Sequence, residues 1–157
     1  MVGAARKRGG ETMQVREILA IKGNVLYTIA PERSLSEAVN TMNAQDVGSL
    51  VVFDHGRMVG ILTFREVLQA INEAGSAWTS VRIAEVQLRN PLTARPDTEI
   101  DELRRLMVES RQRYTPVMDG ATLLGVVSFH DVARAVLEEQ SFENRMLKNY
   151  IADQPAA

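Results

Sequence analysis

Two short segments place a hydroxyl three residues before a carboxylate, each directly after a run of apolar residues. They are Thr63-Phe-Arg-Glu66 and Ser128-Phe-His-Asp131. If each segment begins a helix, its carboxylate can accept two hydrogen bonds from a ribose diol, and its hydroxyl can bond to ribose or phosphate. The helix N-terminus adds backbone N–H groups that attract an anion. These residue types therefore suit the binding of a sugar phosphate.

The same spacing has a purely structural interpretation. A hydroxyl followed three residues later by a carboxylate is also a capping box, which needs no ligand. Ser34 to Glu37 and Thr98 to Asp101 have the same pattern. Capping and ligand binding both stay open for the two segments.

The sequence does not favour catalysis. His130 lies between Ser128 and Asp131, but three side chains within one turn cannot form a proton relay. The chain has no cysteine, no phosphate-cradling glycine-rich loop and no cluster of metal-binding carboxylates. We therefore expect neither enzyme activity nor a metal site.

Charge and hydropathy restrict the partners. The 18 basic and 20 acidic residues give a net charge of −2, so no overall field attracts nucleic acid or an anionic membrane. No stretch is apolar enough to span a membrane or to form a signal-peptide core. We expect a soluble cytoplasmic protein without a nucleic-acid or membrane partner. The basic run at residues 6–8 is expected to be a solvated charge cluster, rather than a nucleic-acid arm, within a disordered leader at residues 1–13.

The chain contains an internal repeat. A shift of 65 residues aligns 28–71 with 93–136 without a gap and gives ten identities in 44 positions, among them Gly60 with Gly125. Apolar spacing in each copy predicts an extended segment, an amphipathic helix, two paired strands and a second helix. This is a β-α-β-β-α unit, preceded in both copies by a short lead-in helix. Apolar residues at helical spacing between Phe142 and Ile151 predict a C-terminal helix that packs on the core or on a partner, and we favour the core.

The end of each copy resembles a known family. Gly60-Ile-Leu-Thr-Phe-Arg-Glu66 and Gly125-Val-Val-Ser-Phe-His-Asp131 are similar to the signature that closes cystathionine-β-synthase-type (CBS) domains, and two copies at a constant distance make the resemblance specific. It implies an α/β (α+β) fold with two pseudo-symmetric β-α-β-β-α repeats. Two three-stranded sheets would pack together and leave two clefts between the repeats.

The resemblance also implies a function. It suggests a non-catalytic regulatory module that binds an adenosine nucleotide such as AMP, ADP, ATP or NAD, ahead of S-adenosylmethionine. The alternative is a structural or interaction dimer with vestigial clefts. A homodimer and an unknown effector protein are the expected partners. Phe64, Leu68, Phe129 and Leu137 are expected in the dimer faces.

Asp131 matches the family motif in type and position, whereas Glu66 has one extra methylene, and Tyr114 and Thr115 differ from the His-Leu pair often found there. Apolar walls around the adenine are expected from Val47, Leu50, Ile61 and Val126. Positive charge is expected from Arg65, Arg95, Arg113 and His130. All residues predicted for the clefts are Thr28, Val47, Gly48, Ser49, Ile61, Thr63, Arg65, Glu66, Thr93, Arg95, Pro96, Arg113, Tyr114, Thr115, Pro116, Val126, Ser128, His130 and Asp131.

The expected organisation has five parts. The leader at 1–13 is followed by a first repeat with its lead-in helix at 14–74, a linker at 75–80, a second repeat at 81–140 and a C-terminal helix at 141–152.

Overall fold

The computed structural model describes residues 12–23 and 25–152. Its helices are α1 (Val15–Lys22), α2 (Leu35–Gln45), α3 (Phe64–Ala74), α4 (Ile83–Val86), α5 (Ile100–Ser110) and α6 (Phe129–Ala152). Its strands are β1 (Thr28–Ile29), β2 (Ser49–Asp54), β3 (Arg57–Thr63), β4 (Tyr114–Asp119) and β5 (Thr122–Ser128). The predicted α/β fold class of two related repeats is confirmed.

The two sheets follow one plan but differ in one strand. In the first sheet, β1 pairs parallel to β2, which pairs antiparallel to β3. The second sheet has only β4 and β5, and a single parallel bridge from Ala94 to Val117 replaces the third strand. The expectation of two three-stranded sheets is therefore wrong for the second repeat. Both hairpins shift register at the same point, after Val52 and after Val117.

The lead-in helices are exchanged between the repeats. The Val15 N–H donates to the Thr98 carbonyl over 2.9 Å, and α1 contributes Val15, Ile18 and Leu19 to the core of the second repeat. In return, the Ile83 N–H donates to the Arg33 carbonyl over 3.0 Å, and Ile83 belongs to the core of the first repeat. Each hydrophobic core is thus completed by a helix that precedes the other repeat in sequence.

The start of α5 differs from the expected capping box. The helix begins at Ile100, and its N-cap residue Glu99 makes no side-chain cap hydrogen bond. The Ile100 N–H instead donates to the Met13 carbonyl, and the Thr98 hydroxyl accepts from the Arg95 N–H. Met13 packs against the second core, so the leader expected at 1–13 does not extend to its last residue. Residues 1–11, including the basic run, lie outside the described residues.

The remaining segments are also helical. The linker forms a 3₁₀ helix, Gly75–Ser80, and Trp78 packs against the first core. The expected C-terminal helix is no separate element, because α6 continues from Phe129 to Ala152. In the last part of α6, the apolar side chains expected to pack on the core are more than half exposed, so that preference is wrong: they are Phe142, Met146, Leu147, Tyr150 and Ile151. Within the described part of the chain, no helix is long and apolar enough to cross a membrane.

Candidate functional site

A cleft of about 910 Å³ lies where the two repeats meet. One wall comes from the segments before β1 and β2, and the other comes from β4, β5 and the start of α6. The lining residues are Lys22, Val25, Leu26, Tyr27, Gln45, Asp46, Val47, Gly48, Ser49, Arg113, Tyr114, Val126, Ser128, Phe129, His130 and Ala133.

The β5–α6 junction places a carboxylate beside this cleft. The Ser128 N–H donates to Asp131 Oδ2 over 2.9 Å, and the Asp131 N–H donates to the Ser128 hydroxyl over 3.0 Å. The capping box is therefore formed, as one of the two interpretations requires. It leaves the carboxylate partly accessible, with 24% of the Asp131 side chain exposed. Capping and ligand binding are thus compatible at this residue.

Lys22 is a cleft residue that the sequence reasoning missed. It is the last residue of α1, and its ammonium donates to Asp131 Oδ2 over 2.7 Å and to the Val126 carbonyl over 3.1 Å. A lysine at a helix C-terminus is ordinary in sequence because it complements the helix dipole. Only the exchange of the lead-in helices brings it to the second repeat, and no local pattern reports that exchange.

The pKa of Asp131 reflects these contacts. Burial alone raises the pKa of this carboxyl. The hydrogen bond and charge of Lys22, together with the bonds from Ser128, outweigh burial and lower the pKa below its ordinary value of 3.8. Asp131 is therefore an anion at neutral pH, paired with a cation and ready to accept further hydrogen bonds.

The equivalent region of the first repeat is arranged differently. Glu66 Oε2 accepts from both the backbone N–H and the hydroxyl of Thr63, and both residues are buried. The chain at Leu88 pairs with Ile61 through two backbone hydrogen bonds of 2.9 and 3.1 Å. Ile61 is equivalent to Val126 of the second repeat, whose carbonyl accepts from Lys22, so backbone pairing closes the first repeat at the place where a lysine side chain covers the second.

The structure divides the predicted site residues into two groups. The residues that line the described cleft are Val47, Gly48, Ser49, Arg113, Tyr114, Val126, Ser128 and His130. Asp131 lies beside the cleft, bonded to the lining residue Lys22. The residues that do not line it are Thr28, Ile61, Thr63, Arg65, Glu66, Thr93, Arg95, Pro96, Thr115 and Pro116.

Some of these positions have a clear structural reason. Ile61 and Leu50 are fully buried in the first repeat and cannot be walls of this cleft, so that expectation is wrong. Thr115 is also fully buried, and its hydroxyl has no partner among the described residues. Arg95 pairs with Asp97 at 3.4 Å, away from the cleft. Of the four cationic or titratable residues predicted, only Arg113 and His130 reach it.

No group of three or more His, Cys, Asp or Glu side chains in the described chain could hold a metal ion. The polar groups around the cleft are instead two carboxylates, two cations, an imidazole, an amide and hydroxyls. Such groups bind an organic anion with hydroxyl groups through charge-assisted hydrogen bonds.

The exchanged helices, the paired hairpins and the cleft between them define a tandem-repeat α/β module. A family model described as the CBS domain matches residues 15–73 and 83–138. The chain therefore belongs to the CBS-domain family and carries two copies of the domain, as the sequence resemblance predicted.

Known proteins support this assignment. The chain is 28% identical over 152 residues to the mitochondrial CBS domain-containing protein CBSX3 of Arabidopsis thaliana, covering 91% of this chain and 74% of that protein. The crystal structure of the CBS-domain containing protein ATU1752 from Agrobacterium tumefaciens superposes with a TM-score of 0.76 at 30% identity, covering 78% of this chain and 98% of that one. The structure of CBSX2 in complex with AMP superposes with a TM-score of 0.63 at 26% identity, covering 73% and 90%.

Proposed function

We propose that the chain is a regulatory module that binds an adenosine nucleotide, namely AMP, ADP, ATP or NAD, in the described cleft without transforming it. The observation that carries the proposal is the ionised Asp131 at the edge of a cleft of about 910 Å³. Small-molecule sites typically have volumes of about 300–1,000 Å³, with mostly apolar walls and a few polar groups. The AMP bound to the related CBSX2 supports a ligand of this class.

The cleft offers complementary groups for each part of such a nucleotide. Val47 and Val126 line it from opposite repeats and suit the two faces of an adenine ring. Asp131 suits the ribose hydroxyls as an ionised acceptor. Arg113 and the positive dipole end of α6 suit the phosphate, because a guanidinium and a helix N-terminus both attract anions.

Binding can be tested by calorimetric titration of the purified protein with AMP, ATP, NAD and S-adenosylmethionine, alongside melting curves at rising ligand concentration. Ligand that binds only the folded state raises the melting temperature with concentration. We expect saturable binding of at least one phosphorylated nucleotide, and no turnover of it when the recovered ligand is analysed by mass spectrometry. The absence of binding by all four would overturn the proposal, and conversion of the nucleotide would overturn its non-catalytic part.

We also propose that the chain forms a homodimer, through which it acts on an effector protein. The four residues expected in the dimer faces are all exposed: Phe64 by 55%, Leu68 by 67%, Phe129 by 38% and Leu137 by 63%. They lie on α3 and α6, the second helix of each repeat. Exposed apolar faces of this kind favour association. The same faces would serve the alternative function, a structural dimer with vestigial clefts, and the ligand titration distinguishes the two.

A further inference from the structure

We propose that Lys22 determines the ligand class of the cleft by selecting adenosine compounds that carry a phosphate over neutral or cationic ones. The inference rests on the proposed function and deepens it. It assigns a specificity role to a residue that lies outside the repeated segments and outside the family signature.

The position of Lys22 is fixed by the core of the second repeat. Leu19, one turn before Lys22, packs directly over Gly125, where its Cδ2 would lie 2.7 Å from an added Cβ. At the other end of α1, the Val15 and Arg16 N–H groups donate to the Thr98 and Pro96 carbonyls over 2.9 Å. The helix is thus held at both ends, and its last residue is directed onto Asp131.

Lys22 decides the net charge around the cleft. The charged side chains that line it are Lys22, Arg113 and Asp46, and Asp131 is added through its 2.7 Å ion pair with Lys22. Two cations among these four side chains thus balance two anions. Without Lys22, the two carboxylates would outnumber the one guanidinium. The resulting net negative charge would repel a phosphate and attract a sulfonium or another cation.

Lys22 also competes with a ribose for the same carboxylate oxygen. The hydrogen bonds from Lys22 Nζ and from the Ser128 N–H reach the same carboxylate oxygen of Asp131, Oδ2. A ribose diol that binds both carboxylate oxygens adds a further donor at Oδ2 and competes there with Lys22. A nucleotide phosphate offers the displaced ammonium a new anionic partner, whereas adenosine offers none. Lys22 therefore penalises adenosine more than AMP.

The experiment compares AMP, adenosine and S-adenosylmethionine by calorimetric titration in three full-length variants. Lys22→Met removes the charge but keeps a long side chain, and Lys22→Arg keeps the charge. Lys148→Met, at an exposed position of α6, is the matched control for the loss of a lysine. Melting curves and circular dichroism establish that each variant is folded.

We expect the wild-type protein and Lys148→Met to bind AMP at least about tenfold more tightly than adenosine, a difference of about 1.4 kcal/mol. In Lys22→Met, AMP affinity should fall about tenfold, while adenosine and S-adenosylmethionine bind as tightly as before or more tightly. Lys22→Arg should keep most of the preference for AMP over adenosine. Added salt should reduce the ratio of AMP affinity to adenosine affinity in the wild-type protein but not in Lys22→Met.

Two results in Lys22→Met would overturn the inference. Equal loss of AMP and adenosine affinity would give Lys22 a structural role only, and unchanged affinity for both compounds would give it no role. If Lys22→Met does not fold, a wild-type preference that salt leaves unchanged overturns the inference. Failure of the wild-type protein to bind any of the three compounds would overturn the proposed function and this inference together.

Discussion

The hydroxyl of Tyr114 in the second repeat lies against the backbone of Gly48 in the first repeat, in the space that a Cβ atom would occupy. The ring of Phe64, on α3, approaches the same space and would lie 2.9 Å from a Cβ added at residue 48. Residue 48 must therefore lack a side chain. Gly48 and Tyr114 both line the cleft. A change at their contact therefore alters both the packing between the repeats and the shape of the cleft.

Gly48→Ala is expected to destabilise the protein by about 1–3 kcal/mol, the usual cost of overpacking, and to weaken AMP binding. Urea denaturation and calorimetry measure the two effects. Removing the hydroxyl in the double variant Gly48→Ala/Tyr114→Phe should recover part of the stability, since that oxygen is the nearest atom. Additive effects of the two substitutions would contradict a direct clash.

Asp131→Ala should weaken AMP binding by about ten- to a hundredfold, the loss of roughly 1.5–3 kcal/mol of charge-assisted hydrogen bonding. Glu66→Ala is the matched control, because it removes the carboxylate of the other capping box. We expect Glu66→Ala to lower stability, since Glu66 is buried and bonded to Thr63, and to leave AMP affinity within about twofold. Equal affinity in Asp131→Ala and the wild-type protein would reduce Asp131 to a helix cap.

Two equivalent glycines should respond differently to alanine. An added Cβ at Gly60 would lie 2.7 Å from the Leu88 carbonyl oxygen, whereas at Gly125 it would lie 2.7 Å from Cδ2 of Leu19. A carbonyl oxygen held in a backbone pair cannot move aside, but the end of a leucine side chain can rotate. Gly60→Ala should therefore cost about 1–3 kcal/mol, and Gly125→Ala about 1 kcal/mol or less. Chemical denaturation of both variants measures the two losses of unfolding free energy. A larger loss in Gly125→Ala than in Gly60→Ala would show that the backbone at Leu88 moves readily.

The stability of the protein should depend on pH through Asp131. Its pKa is lowered on folding, so its ionised form is favoured in the native state. The resulting contribution is fully present above the ordinary value of 3.8 and is lost as the pH falls through the lowered value. In urea denaturation, the excess stability of the wild-type protein over Asp131→Asn should stay constant between about pH 5 and 7 and shrink below about pH 4. It should be on the order of 1 kcal/mol, because the pair is partly exposed. If the excess stability of the wild-type protein grew as the pH fell, the lowered pKa of Asp131 in the folded state would be contradicted.

Leu68→Glu and Leu137→Glu should each weaken the proposed homodimer by about tenfold or more, since a buried unpaired carboxylate is costly. Sedimentation equilibrium measures the dissociation constant. Val108→Glu is the control, because Val108 is an exposed apolar residue on α5, outside the proposed faces. A monomeric wild-type protein at micromolar concentration would exclude the dimer, and dissociation by Val108→Glu alone would move the interface to α5.

The repeat and its apolar periodicity were sufficient to predict the hairpins, the helices around them and the capping boxes at Glu37, Glu66 and Asp131. These features depend on neighbours within a few residues, so sequence spacing reports them. The burial of Ile61, the closure of the first repeat by Leu88 and the place of Lys22 depend on which repeat each lead-in helix joins. A helix as short as α1 has the same apolar face whichever core it completes, and the sequence of the helix cannot reveal the choice.

The exchange of α1 and α4 has a consequence for the ancestry of the chain. A protein with one repeat and its lead-in helix would lack the helix that covers its own core and would find it only on a second molecule. Two such molecules would trade helices and form a symmetric swapped dimer. Duplication and fusion of their gene would join the two molecules end to end, and the short 3₁₀ helix that carries Trp78 now spans that junction. The two copies would then have become free to diverge, so that a lysine covers one half of the old symmetric pair and a backbone bridge closes the other.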